Sequence, residues 1–207
     1  MRQSEKLLTK TSLLRCYSAL IVLGVLLVVG CNAPIICQEC INRVHDAPVF
    51  THFTPLRSSP STVAPIPEGE YKVARIIDGD TIVITDGTDE YRVRLIGIDA
   101  PEIRPLQPYG QEAKHRVEEL IESANGYVRL QFDGDGTDRS GRIRAHVYLT
   151  IGSDELWLNN LLVLEGLAVS MPGFRYSDRA KKILIESEIT ARRHKRGMWS
   201  LPHPPFP

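Results

Sequence analysis

Apolar and polar residues alternate in three short runs near the middle of the chain, at 71–77, 81–85 and 90–98. A period of two marks strands with one buried face. Asp86-Gly87, between the second and third runs, supplies a tight turn, so the three predict a meander. Ala113, Val117, Leu120, Ile121 and Ala124 then recur at helical spacing, and Asn125-Gly126 forms a natural stop. Two further runs, 127–132 and 143–150, read as strands. Residues 156–165 read as an apolar helix ended by Gly166, and 177–195 as a charged amphipathic one. Five strands with a helix after the third predict an α+β fold, mainly β. Its expected form is a five-stranded Greek-key barrel of the oligonucleotide/oligosaccharide-binding (OB) type with about three helices.

Upstream the pattern changes. Arg2, Lys6, Lys10 and Arg15 precede an uncharged, mostly apolar run at 17–30. That run is shorter than the roughly 20 residues a spanning helix needs, and it fits a secretory signal. Its end, Val28-Val29-Gly30-Cys31, resembles a bacterial lipobox. The expected organisation is a signal peptide at 1–30, lipidated Cys31, a Pro/Ser-rich tether at 31–69, one domain at 70–200 and a Pro-rich tail at 201–207. A signal-anchor or an ordinary cleaved signal is the alternative. Lipid carrying more than one hydrocarbon chain would anchor the protein stably to a membrane. Cys37 and Cys40 form a single C-x-x-C. A local disulfide in an oxidising compartment is a plainer reading than a zinc site, which needs four ligands.

Charge narrows the picture. Residues 69–200 hold 19 Lys+Arg and 21 Asp+Glu, and 19 − 21 gives −2. Tight general nucleic-acid binding draws on a basic surface, so a near-neutral domain argues against it without excluding catalysis on a bound diester. Lys181, Lys182, Arg192, Arg193, Lys195 and Arg196 cluster at the last helix. They read equally as a phosphate-facing patch or as a solvated face that complements the helix C-terminus.

The densest candidate chemistry lies in IIDGDTIVITDGTDEYRVRLIGIDAPE, residues 76–102. The meander would bring Asp80, Arg94 and Asp99 near one sheet end, with Glu102 just beyond. Carboxylate oxygens suit Ca²⁺ or Mg²⁺, and a planar guanidinium suits phosphoryl oxygens. Taken singly, each residue has an ordinary reading as a turn, cap or surface group. The run 133–138, DGDGTD, resembles an EF-hand loop but carries Asp138 where glycine is required and Arg144 where a bidentate Glu is required. It reads instead as a turn that delivers Arg142.

DGDT, VRLIGIDAPE, YGQEA, TDRSGR and GMW, in that order and spacing, resemble the staphylococcal nuclease (thermonuclease) family over about 71–200. The resemblance implies the same barrel with three helices. It implies that Asp80 and Asp99 hold Ca²⁺, and that Ala100, standing where the family has Thr, offers its backbone carbonyl to the metal. Glu102 would be the general base and Arg94 and Arg142 the phosphate arginines. The implied activity is calcium-dependent hydrolysis of DNA and RNA. With the N-terminal pattern read above, the expected enzyme is a monomer exported to the bacterial cell envelope and held at the membrane by lipid on Cys31. Ser140 stands where some members carry Tyr. Phe174 or Tyr176 is a candidate for stacking on a base, and packing of these loop aromatics on the barrel is the equal alternative. A catalytically silent binding module is the alternative. Retention of Asp80, Asp99, Glu102, Arg94 and Arg142 favours the enzyme.

Overall fold

A computed structural model describes residues 65–206. The expected signal peptide, Cys31, the C-x-x-C and all but the end of the tether lie outside the described residues. The chain first lays down β1 (Gly69–Ile76), β2 (Thr81–Thr85), β3 (Glu90–Leu95) and the short β4 (Ile98–Asp99). Next come α1 (Gly110–Ser123), β5 (Tyr127–Gln131), β6 (Ile143–Ile151) and β7 (Asp154–Trp157). The described part closes with α2 (Leu158–Leu164), β8 (Val169–Ser170), α3 (Asp178–Arg193) and a 3-10 turn at Gly197–Ser200.

Strands β1, β2 and β3 form the antiparallel meander. β5 pairs with the other edge of β1, and β6 with β5. β6 then pairs in parallel with β3 through Val93↔Ile143, Arg94↔Arg144 and Leu95↔Ala145. The ring β1–β2–β3–β6–β5 is therefore closed, a five-stranded barrel with three helices that leaves no free edge in the ring. Ile82, Ile84, Val93, Leu95, Val128, Leu130, Ile143, Val147 and Leu149 are buried in its core. The parallel seam is locked from α2 by buried Asn159. Its Nδ2 donates to the Ile96 carbonyl at 2.9 Å and to that of Ala145 at 3.4 Å, while its Oδ1 accepts from the Val147 N–H at 2.9 Å. A buried amide satisfied at both ends specifies one register, because a slip would leave it unpaired.

Two boundaries differ from the sequence pattern. The run 90–98 is broken after Leu95 by Gly97, whose φ of 79° is left-handed. A Cβ there would lie 2.8 Å from the Tyr176 ring, so the kink needs glycine for its angle and for space. The broken-off piece is β4, paired with β8 through Ile98↔Ser170 and Asp99↔Val169. Residues 156 and 157 are strand rather than helix, since β7 forms a hairpin on β6 before α2 starts at Leu158. An apolar pair such as Leu156-Trp157 fits either period.

Helix α1 buries Ala113, Val117, Leu120 and Ile121, and α3 buries Ala180, Ile183, Leu184 and Ala191. Ser177 caps α3, its side chain accepting from the Ala180 N–H. A second apolar cluster joins Val169, Ala191, Met198 and Trp199 behind β8. No described helix is long and apolar enough to cross a membrane.

Candidate active site

The turn that leads into β2 builds the site. The Asp80 N–H donates to Asp78 Oδ1 at 3.1 Å, and the Ile77 N–H to the Thr81 carbonyl at 2.9 Å. Between the two acids, a Cβ on Gly79 would sit 2.8 Å from the Cβ of both Ala100 and Ala113. Only glycine lets this turn rest on the segment after β4 and on α1. The β2–β3 register places Thr81 opposite Arg94, and the Leu95 N–H donates to the Asp80 carbonyl at 2.8 Å.

These constraints converge three charged side chains. Arg94 Nη1 pairs with Asp80 Oδ2 at 2.7 Å and Nη2 with Asp99 Oδ1 at 2.6 Å, so one guanidinium bridges both carboxylates. Asp80 is only 6% exposed. Its Oδ2 also accepts from the Ala100 N–H at 2.8 Å, and its Oδ1 from the Thr81 hydroxyl at 2.9 Å. Burial pushes the Asp80 carboxyl up to about 7, with Asp78 adding to the rise against the opposing pull of Arg94, Ala100 and Thr81. Asp80, Arg94, Asp99 and Ala100 thus lie together.

The donor set here is suited to a hard cation. Its two carboxylates offer oxygen alone, and a buried acid disfavoured in its charged form gains from added positive charge. Among the described residues no group of three or more His, Cys, Asp or Glu side chains gathers as a metal cluster. A cation would therefore complete its shell with backbone oxygen, substrate and water.

Glu102 follows within three residues of Asp99, and its backbone is pinned while its side chain is not. Its N–H donates to Gln107 Oε1 at 2.8 Å and its carbonyl accepts from the Gln107 N–H at 2.8 Å. A Cβ on Gly110, at the start of α1, would come within 2.6 Å of that carbonyl. Among the described residues the exposed Glu102 carboxylate has no hydrogen-bond or ion-pair partner, which suits a group that must take up a proton.

Residues 92–201 match the family model described as "Staphylococcal nuclease homologue". The chain is 36% identical over 140 residues to a thermonuclease of Staphylococcus hyicus, covering 64% of this chain and 77% of that protein. It is 38% identical over 134 residues to a thermonuclease of Staphylococcus intermedius, covering 62% and 75%. It is also 38% identical over 135 residues to an SPbeta prophage-derived endonuclease of Bacillus subtilis (strain 168), covering 61% of this chain and 42% of that protein. The chain belongs to the staphylococcal nuclease family. It is a nuclease of the phosphodiester-hydrolysing class.

Arg142 ends the β5–β6 loop, one residue before Ile143, which pairs with Val93 in the parallel seam. Asp138 holds it: Oδ1 accepts the Arg142 N–H at 2.9 Å and Oδ2 pairs with Nε at 2.7 Å. Nη1 and Nη2 have no partner among the described residues and can reach a ligand as a fork. The EF-hand-like run holds three separate partners instead of one ion. Asp133 binds His146, Asp135 binds Arg144 and Asp138 binds Arg142.

The two aromatic candidates differ sharply. Phe174 is 45% exposed, whereas Tyr176 is 7% exposed, packed against the core with His146 edge-on to its ring. Tyr176 thus follows the alternative of packing on the barrel, where the Gly97 kink and His146 meet its ring, which leaves Phe174 as the stacking candidate. On α3, Arg192 pairs with Glu188 and lies 3.9 Å from the Trp199 ring, and Lys182 lies 3.9 Å from Glu186. This part of the basic cluster is a helix face balanced by its own acids.

Sequence reasoning missed Thr81, Gln107, Asp138 and the Asp133–His146 pair. The short-range spacing T-D-R-S-G-R could have suggested an Asp138–Arg142 pair, since an acid that turns the chain can also hold an arginine four residues on. Nothing local marks Gln107 or His146, whose partners depend on the tertiary fold.

Proposed function

We propose that this nuclease is calcium dependent and hydrolyses phosphodiester bonds of both DNA and RNA at the cell envelope. The observation that carries the reading is the bridge from Arg94 to Asp80 and Asp99, followed three residues after Asp99 by Glu102, whose carboxylate has no partner among the described residues. Asp80, Asp99 and the Ala100 carbonyl would hold Ca²⁺, which when bound supplies Lewis acidity and a template for phosphate and water. Arg94 and Arg142 present guanidiniums to phosphoryl oxygens, where negative charge grows in the transition state. A preorganised donor of this kind is worth about 3 kcal/mol. Glu102 takes the proton of the attacking water, a contribution of about 10²–10⁴-fold. Phe174 offers an exposed ring on which a base can stack.

The address of the enzyme rests on sequence. The charged start, the apolar run 17–30 and Cys31 support an exported, lipid-anchored protein, with residues 31–69 as the tether of a monomeric catalytic domain. Hydrolysis of single-stranded DNA and of RNA by the purified protein, with Ca²⁺ and with excess chelator, tests the chemistry. Both polymers should be cleaved with Ca²⁺ and neither with chelator, and undiminished cleavage in chelator would remove Asp80 and Asp99 from the mechanism. Mass spectrometry of the N-terminal peptide tests the anchor, where an unmodified Cys31 would contradict it.

A further inference from the structure

The buried pair Asp133–His146 has no part in the chemistry above, yet it lies at the base of the loop that carries Arg142. His146 is fully buried on β6, four residues after Arg142, and its Nε2 is 3.1 Å from Asp133 Oδ2. Asp133 follows β5 on the opposite leg of the loop, and Gln131 pairs with His146 in the β5–β6 register. The same Oδ2 accepts the Ser177 N–H at 3.0 Å. Burial raises the Asp133 carboxyl, but the hydrogen bonds from His146 and Ser177 outweigh it and leave the group below its ordinary range. Asp133 is therefore an ionised acceptor, and His146 Nε2 is the donor. The next residue tightens the contact: a Cβ on Gly134 would fall 2.1 Å from the Arg175 carbonyl. At its far end the loop is knitted by Asp138, which holds Arg142.

One carboxylate thus joins three pieces: the loop of Arg142, the strand that follows Arg142, and the segment that runs from Phe174 into α3. We propose that Asp133 and His146 are positioning residues, holding the Arg142 loop in register with residues 174–177 so that the arginine meets the scissile phosphate of a strand lying across both. This rests on the reading of Arg142 as a phosphate arginine. Small displacements of a positioned group cost rate steeply, about 10²-fold for 1 Å.

A double-mutant cycle on kcat/KM for single-stranded DNA with Ca²⁺ separates positioning from plain stability. Asp133→Ala should lower kcat/KM about tenfold when Arg142 is present, and less than about twofold when combined with Arg142→Lys. His146→Gln, which keeps a side-chain N–H donor, should retain more activity than His146→Ala. All variants are compared at a temperature where circular dichroism shows them folded. Should Asp133→Ala not fold, Ser177→Pro carries the same cycle: the φ of −60° at Ser177 suits proline, and proline lacks the N–H that Asp133 accepts. Ser177→Ala, which removes the helix cap and the hydroxyl contact to Asp133 but keeps the N–H that Asp133 accepts, is its control and should lose less. An equal loss from Asp133→Ala, or from Ser177→Pro, with and without the Arg142→Lys substitution would overturn the positioning role. Unchanged kcat/KM in Arg142→Lys alone would overturn the phosphate role of Arg142 and this inference with it.

Discussion

The two phosphate-arginine candidates are built into the molecule in opposite ways. Arg94 sits on a barrel strand, its side chain 16% exposed, and satisfies two carboxylates, one of them deeply buried. Arg142 ends a loop, its side chain 35% exposed, and is held through Nε by a single acid from the same loop. Arg94 is therefore part of what makes the barrel end electrostatically tolerable, because it compensates Asp80. Arg142 is oriented without the fold depending on it. The same residue type in the same inferred role should show two different couplings between stability and activity.

Removing each side chain probes that difference most strongly. Arg94→Ala should destabilise the fold by about 3–5 kcal/mol, the usual effect of stripping one partner from a buried ion pair. Arg142→Ala should cost about 1 kcal/mol or less, as for an exposed pair. Both should lose most activity. Urea unfolding beside steady-state hydrolysis reads the two together, and equal stability losses would dissolve the contrast. A milder exchange tests the fork itself. Arg94→Lys and Arg142→Lys should each lose about 3 kcal/mol of transition-state stabilisation, since an ammonium cannot reproduce a bidentate contact. If either Lys variant keeps near-wild-type kcat/KM, that arginine is structural.

Asp80 gives a smaller effect than Arg94 and the sharpest signature. Its carboxyl titrates near 7 in the folded protein and near 4 when unfolded. Between those values the folded state binds more protons than the unfolded state, so the stability of the metal-free protein falls as pH rises through that window. Asp80→Asn cannot lose that proton. The variant should gain on wild type from about pH 4 to 7, reaching about 1–3 kcal/mol, while losing activity. Thermal midpoints in chelator across this range check it, and a constant difference would show that burial does not destabilise the charged form.

How much of this is legible in the sequence depends on the range of each interaction. The meander and the grouping of Asp80, Arg94 and Asp99 follow from alternation and one Asp-Gly turn, which act over a few residues, whereas the closed barrel is expected from the order of strands and helix and from the family resemblance. The split of 90–98 is not legible, because an apolar run through Ile96-Gly97-Ile98 reads as one strand until Tyr176 and β8 are in place. Leu156-Trp157 reads as helix for the same reason. Asn159 and His146 sit in apolar stretches whose pattern gives no hint that their polar atoms are satisfied by Ile96, Ala145 and Asp133. Tyr176 and Phe174 are two residues apart and differ in exposure more than sixfold, a distinction that the tertiary packing of Tyr176 against Gly97 and His146 creates.

Calorimetric titration of Ca²⁺ into the metal-free protein tests most directly whether Asp80 and Asp99 together make the calcium site. Wild type should bind one Ca²⁺ per chain. Asp80→Asn and Asp99→Asn should each weaken binding by about 1.4 kcal/mol or more, tenfold in affinity, while remaining folded. Unchanged affinity in either variant, or no Ca²⁺ binding by wild type, would contradict the assignment.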